Sequence, residues 1–343
     1  MSTENHKTRG GELAAVEQWP DALGKLHARV ARRFLRPEVR ERARRYLAGL
    51  LGRVERKNGW QLAEQMGELG PQGAQRLLNA ARWDADAVRD DLREYVVEHL
   101  GDEQSGVLVV DERGFLKKGE KSVGVARQYT GTAGRIENAQ VGVFVAYASE
   151  KGAAFVDRAL YLPREEWADD PLRREEAGVP DEVRFATKGE LAKEMLGRAF
   201  EAKVPARWVV ADTVYGTARG LRGWLEEQGR SYVLAVPSTK GIYHDGRQRQ
   251  ARTVAKSLAE GAWIRASAGR GSKGDRLYDW ACVPLLPAPD TAEAGRWLLL
   301  RRDIDDPSEE GLLLILRAEG DVRWRVDPNR GKALGHRGLF RGD

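Results

Sequence analysis

Val107-Leu108-Val109-Val110-Asp111-Glu112-Arg113-Gly114-Phe115-Leu116 is the stretch on which the fold turns. A short continuous apolar run bounded by charge and glycine predicts a buried strand, with Asp111 at its carboxyl end beside Glu112. The pattern returns downstream, where Trp208-Val209-Val210-Ala211 runs into Asp212, then Thr213-Val214-Tyr215-Gly216 and a helical stretch. Strand ends hold side chains rigidly at the edge of a crevice. Two aspartates brought together there repel each other unless a divalent cation lies between them, and magnesium is the natural partner. Ions held by oxygen ligands can activate a water or a 3′-hydroxyl and stabilise the leaving oxygen in an in-line attack on a phosphodiester. The plainer alternative is that each aspartate only caps a turn or the next helix.

Outward from these runs, Val141, Val143, Val145 and Tyr147 alternate with smaller residues, and strand-like runs follow over 154–162, 232–236, 263–266, 277–284 and 297–301. Helical patterns intervene over 191–201 and 221–228. Neighbouring strands first and strand–helix alternation later predict an α/β mixed sheet flanked by helices. Upstream, 30–100 is helical in pattern: Val39, Ala43, Tyr46, Leu47, Leu50, Leu51 and Val54 recur at helical spacing. Within it Gly59-Trp60-Gln61-Leu62-Ala63 and Gln75-Arg76-Leu77-Leu78-Asn79 flank a turn with Gly70-Pro71. That arrangement suits a helix-turn-helix DNA-binding element or a plain helical bundle. Gly269-Arg270-Gly271-Ser272-Lys273-Gly274 lacks the Gly-Lys-Ser/Thr of a nucleotide loop and opens no helix; it reads as a basic hairpin tip, solvated or set against a DNA backbone.

The bulk properties exclude several classes. Cys282, the single cysteine, forms no internal disulfide, and the five histidines do not fall at zinc-ligand spacing. The first twenty residues carry no apolar signal core, and the aliphatic run at 312–316 is far short of the ~18 residues that span a bilayer. No membrane and a cytoplasmic location are expected. The 57 basic and 52 acidic residues give a net charge of +5, a weak pointer to nucleic acid. Arginine suits phosphate contacts, although a GC-rich genome enriches it as well.

Three stretches are similar to a known family: Val109 through Gly119, then Ser122-Val123-Gly124-Val125-Ala126-Arg127-Gln128-Tyr129, then Gly131-Thr132-Ala133-Gly134-Arg135-Ile136-Glu137-Asn138. They resemble the DDE transposases of the insertion sequence 701 group. The resemblance extends upstream through Glu55-Arg56-Lys57-Asn58-Gly59-Trp60 and Trp83-Asp84, and downstream through Ala211–Gly216 and Tyr232–Pro237. It implies a ribonuclease H-like core, two magnesium or manganese ions, and double-stranded DNA at transposon terminal repeats as partner, bound by a homo-oligomer. Asp111 and Asp212 match the family's first two catalytic, metal-holding carboxylates. The resemblance implies a transposase, an endonuclease of DNA recombination that hydrolyses insertion-sequence ends and joins them by strand transfer.

The chain departs from the family in two places. Arg113 replaces a small hydroxyl residue and faces either the metal site or solvent. The third carboxylate, a glutamate on a late helix in a Trp-x-x-Glu-x-x-Phe pattern, is not found and stays unknown; Asp327, after Trp324, is a candidate for its place, although Pro328 and Gly331 oppose a helix there. The segment Ala333 to Gly342 can be encoded so that a shifted frame reads Arg-Trp-Ala-Ile-Glu-Asp-Cys-Phe-Glu-Glu, so a truncated or frameshifted C-terminus is expected. The alternative function is therefore a catalytically inactive chain that only binds transposon-end DNA; a host nuclease of the same fold is a third. The expected layout is a polar tail to 29, a helical DNA-binding region over 30–100, a catalytic domain over 101–307 with a mostly β insertion at about 238–296, and a degenerate, poorly ordered tail over 308–343. Lys117, Lys118 and Lys121, Glu137 with Asn138, and Asp169-Asp170 are read as surface or structural groups, and Trp224 as core.

Overall fold

The computed structural model describes residues 19–271, 274–285, 296–305, 313–317, 325–327 and 332–334. Contacts divide the chain into two units, Met1–Tyr95 and Val96–Asp343.

The first unit is helical. Its elements are α1 (Trp19–Ala31), α2 (Pro37–Leu51), α3 (Gly59–Gln65), α4 (Gln72–Asn79) and most of α5 (Ala85–Leu100). Helix α1 begins within the stretch expected as polar tail, because Trp19, Leu23, Leu26 and Val30 repeat at helical spacing and Val30 is buried. Val30, Phe34, Ala43 and Leu77 form the small core, and the Phe34 and Trp83 rings lie 5.4 Å apart. Pro37 at the first turn starts α2 without losing a needed donor, and the Asn58 side chain caps α3 by accepting from the Trp60 and Gln61 amides. The two short helices expected around Gly70-Pro71 are α3 and α4, with Trp60 and Leu78 exposed on them.

The second unit is built on a ten-stranded sheet. Strands β1 (Val107–Leu116), β2 (Ala126–Thr130), β3 (Arg135–Ser149) and β4 (Gly152–Leu160) come first. After a single π-helical turn at Arg164–Ala168 come α6 (Pro171–Glu176), α7 (Lys188–Glu201), β5 (Trp208–Ala211), α8 (Thr213–Gly216), α9 (Arg219–Glu227) and β6 (Ser231–Ala235). The rest is β7 (Gly241–His244), β8 (Arg247–Gln250), α10 (Ala251–Ser257), β9 (Ile264–Gly271), β10 (Gly274–Leu285), β11 (Arg296–Arg302), β12 (Leu313–Arg317), β13 (Arg325–Asp327) and β14 (Lys332–Leu334).

The main sheet runs β2-β3-β1-β5-β6-β12-β11-β10-β9, with β4 also on β3. An antiparallel β1-β3-β4 meander followed by β5 and β6 parallel to β1 is the mixed, ribonuclease H-like arrangement expected. Strands β5 and β6 are near-continuous apolar runs because α8 and α9 cross between them and the strands are buried on both faces. On one face Leu108, Val110, Val143, Val209 and Leu234 pack with Ala192, Met195 and Leu196 of α7 and with Leu221 and Leu225 of α9. The other face joins Val107, Trp208 and Val233 to Ala266, Trp280 and Leu299 of the later strands.

Two regions differ from expectation. Leu313–Arg317, in the stretch expected as a tail, is a strand of the main sheet, hydrogen-bonded between β6 and β11. Its apolar run gains a place because both neighbours offer an open edge. Asp327 ends the short hairpin β13–β14, opposite Lys332, so it stands on a strand rather than a helix. The shifted-frame segment lies outside the described residues except for Ala333 and Leu334, and the expected disorder of 308–343 falls largely outside them too.

Candidate active site

The register sets the site. Strands β1 and β5 pair in parallel with Val110 opposite Ala211, so the next residue of each, Asp111 and Asp212, stands at the carboxyl end of two neighbouring strands. Such an edge, where parallel strands give way to loops and helix N-termini, is where α/β sheets place ligands. The turn after Asp212 is tight. Gly216 is buried, and a Cβ there would lie 1.7 Å from the Ala235 carbonyl oxygen, so only glycine lets α8 close onto the end of β6.

Asp212 is the N-cap of α8 and accepts from the Val214 amide at 3.0 Å, while Asp111 accepts from the Glu112 amide at 2.8 Å. The capping expected as the plainer alternative is therefore present at Asp212. It does not exhaust the site, because neither aspartate has a lysine or arginine within ion-pair distance among the described residues. Both are open to solvent on one side and walled by protein on the other. Asp111 has Phe144 as its cross-strand neighbour, and the Phe144 ring lies 5.2 Å from Phe155 and 6.4 Å from Phe115. Lost hydration raises the Asp111 carboxyl above the ordinary range, with the Glu112 charge adding to the shift. Asp212 is raised by lost hydration first, then by Glu112, then by Asp111. Carboxylates that push one another's pKa upward are those a divalent cation would bring together.

Glu112, quoted in the sequence only as a neighbour, belongs to this cluster. Its Oε1 accepts from Lys188 Nζ at 2.6 Å, and its Oε2 is buried. Lys188 is the first residue of α7, whose start is fixed by a capping box between Thr187 and Glu190. The Tyr215 hydroxyl is fully buried and faces Glu112. Burial first, then the charge of Glu112 and a hydrogen bond to its carboxylate, then the charges of Asp212 and Asp111, hold its pKa far above the ordinary tyrosine range.

The donor chemistry, hard carboxylate oxygens without competing cations at the aspartates, fits magnesium or manganese. Among the described residues, however, no group of three acidic, histidine or cysteine side chains is gathered at ligating range. Arg113 is exposed opposite Gly142. Several of the remaining charged candidates have structural partners. Lys121 pairs with Glu176 and Glu137 with Arg135, Asn138 donates to the Lys117 and Gly119 carbonyls, and Asp170 caps α6. Trp224 stacks on Phe200 at the edge of the core. Strands β9 and β10 pair at Gly271 and Gly274, a hairpin whose tip, 272–273, lies outside the described residues. No helix among the described residues is long and apolar enough to cross a membrane.

Comparison with known proteins identifies the family. A family model described as DDE superfamily endonuclease matches residues 29–278, a span that holds both aspartates. A relative, the probable transposase for insertion sequence element IS701 of Microchaete diplosiphon, is 30% identical over 206 residues, covering 59% of this chain and 50% of the relative. The chain thus spans about half the length of that relative. The NurA nuclease from Sulfolobus solfataricus aligns over 67% of this chain and 74% of that one at 9% identity, but at a TM-score of 0.26 the likeness carries no argument. With the family model covering most of the sequence, this chain is a member of the DDE superfamily endonucleases and resembles the transposases of the IS701 type.

Proposed function

We propose that Asp111 and Asp212 form the divalent-cation centre of a transposase that cuts and joins DNA at insertion-sequence ends. The observation that carries this reading is the parallel pairing of Val110 with Ala211, which sets the two carboxylates side by side with no basic partner among the described residues. When bound, two magnesium or manganese ions supply Lewis acidity to the attacking water or 3′-hydroxyl and to the leaving oxygen. The two aspartates hold oxygen donors at fixed strand ends. The helical unit, with α3 and α4, is the element that grips the terminal repeats, and a homo-oligomer joins the two ends. Such a protein works in the cytoplasm of a bacterium, on the nucleoid when bound to DNA.

One observation favours the second reading, a chain that binds element ends without cutting: no three-carboxylate group is assembled among the described residues. Labelled duplex carrying the terminal repeats that flank the gene, incubated with the chain and Mn2+ or Mg2+, separates the two. Metal-dependent nicking, abolished in Asp111→Asn and Asp212→Asn with binding retained, supports the enzyme. Binding with no nicking supports the second reading, and nicking unchanged in both variants removes the pair from the mechanism.

A further inference from the structure

We infer that the open face of the sheet formed by β2, β3, β1 and β4 is a stacking surface for unpaired DNA bases beside the Asp111 edge. The inference rests on the reading of the aspartate pair given above for its substrate, and on the strand register for its geometry. Strand alternation sends Val143, Val145 and Tyr147 into the core with α7. The intervening positions face the other way, and the register fixes which stand together: Asp111 opposite Phe144, Arg113 opposite Gly142, and Arg127 opposite Asn138. Along β1 this face lies within the second core at Val107 and Val109 and opens to solvent from Asp111 onward. Three rings then form a row across three strands. Phe155 of β4 lies 5.2 Å from Phe144 of β3, which lies 6.4 Å from Phe115 of β1. Phe155 is 69% exposed and Tyr129 of β2 is 61% exposed. Aromatic area left in water contributes nothing to folding, and a contiguous patch of it marks a contact surface.

Charge and shape choose the occupant. At the outward positions of β1, β2 and β3 the charged side chains are Asp111, Arg113 and Arg127, and neither arginine has a carboxylate within ion-pair distance among the described residues. A nucleic-acid strand combines anionic phosphates for the arginines with flat unsaturated bases for the rings. A duplex keeps its base faces stacked inward and shows a flat sheet only phosphates and groove edges, so it leaves the rings uncovered. Unpaired nucleotides cover both, with bases on Phe115, Phe144 and Phe155 and phosphates at Arg113 and Arg127. A twofold contact between copies would instead bring a face with more arginine than carboxylate against itself. Asp111 is the cross-strand neighbour of Phe144, so a strand laid on the rings arrives at the proposed cation centre. The surface takes the nucleotides next to the cut, where the two strands of an element end part.

Fluorescence anisotropy of a labelled oligo-dT of about twelve nucleotides, titrated with the full chain in EDTA, tests this. The unsubstituted chain should bind it, and Phe155→Ala should weaken binding at least about fivefold, the loss of one stacked base. Phe155→Tyr keeps a ring and should bind within about twofold of the unsubstituted chain. Arg127→Gln should weaken binding and make it less salt-dependent. Leu172→Ala, which removes an equally exposed apolar side chain on α6, should change nothing. Ultraviolet cross-linking of the oligonucleotide to the unsubstituted chain needs no variant, and should place thymine adducts on Phe115, Phe155 or Tyr129. Absence of oligo-dT binding, binding equal in Phe155→Ala, or adducts confined to other positions overturns the inference. A lower sedimenting mass in Phe155→Ala with oligo-dT binding unchanged overturns it in favour of a contact between copies. Metal-dependent nicking of element-end duplex, scored on the same preparations, keeps the two readings apart. Asp111-dependent nicking without oligo-dT binding removes the stacking surface and leaves the aspartate pair, whereas Phe155-dependent oligo-dT binding without nicking keeps the surface and counts against the enzyme.

Discussion

Asp91 in the helical unit and the Asp111–Asp212 pair in the sheet unit are acidic groups treated in opposite ways. Asp91 is 1% exposed and receives two arginines, Arg33 and Arg32, at 2.7 Å. Their hydrogen bonds, that of Arg33 foremost, draw its pKa from 3.8 to about 2 despite burial. Asp157 in the sheet unit, also 1% exposed, likewise meets an arginine, Arg198 at 2.9 Å. Asp111 and Asp212 receive no arginine or lysine among the described residues, and their pKa values move up rather than down. At Asp91 and Asp157 the chain supplies the cation itself. At Asp111 and Asp212 no described residue does so, which is what the proposed cation centre requires.

The comparison breaks first on catalysis. Replacing Asp111 or Asp212 with asparagine is expected to slow metal-dependent nicking of element-end DNA at least about a thousandfold, about 4 kcal/mol of transition-state stabilisation. Asp91→Asn should leave the rate per folded molecule within about twofold, since a helix-packing ion pair touches no reacting atom. Single-turnover rates on matched folded fractions check both.

Stability should show the reverse order. Asp91→Asn is expected to cost about 2–3 kcal/mol, less than the roughly 3–5 kcal/mol of a wholly buried pair because Arg32 reaches water. Urea unfolding followed by circular dichroism reads it. The pH dependence follows from the sign of the shift. Asp91 is lowered in the folded state, so its contribution is present above about pH 4 and is lost as pH falls toward 2; that acid limb should be shallower in Asp91→Asn.

The smallest effect sharpens the contrast. Asp111 and Asp212 are raised in the folded state, so ionising them opposes folding, and asparagine at either position should stabilise the metal-free protein at neutral pH. The gain should be under about 1 kcal/mol, because both groups still meet solvent, and should vanish once acid protonates the wild-type carboxyls. Thermal unfolding at neutral and acid pH measures it, and a destabilising asparagine at neutral pH would mean that the chain itself compensates these charges.

How much of this was legible in the sequence depended on how local each signal was. Val107–Val110 and Trp208–Ala211 are continuous apolar runs ending in aspartate, so the strands and the carboxylates at their ends were readable from the runs themselves, while only the family resemblance marked those carboxylates as a candidate site. Their adjacency was not, because β1 and β5 are joined only through a long crossover, and the family resemblance supplied what periodicity could not. Strand β12 was missed because its short run sits among Gly, Pro and charged residues and becomes a strand only between β6 and β11. Helix α1 was missed because its few apolar residues are diluted by polar ones. Glu112 was passed over for a similar reason. What distinguishes it is Lys188, 76 residues away, together with Tyr215 across the parallel pair.

The most direct measurement of the central claim is anomalous diffraction from crystals of the chain soaked in Mn2+. The account predicts a peak within coordination distance of both the Asp111 and Asp212 carboxylates, absent in Asp212→Asn. A manganese peak elsewhere with none between the two strand ends, or one that survives that substitution, would contradict it.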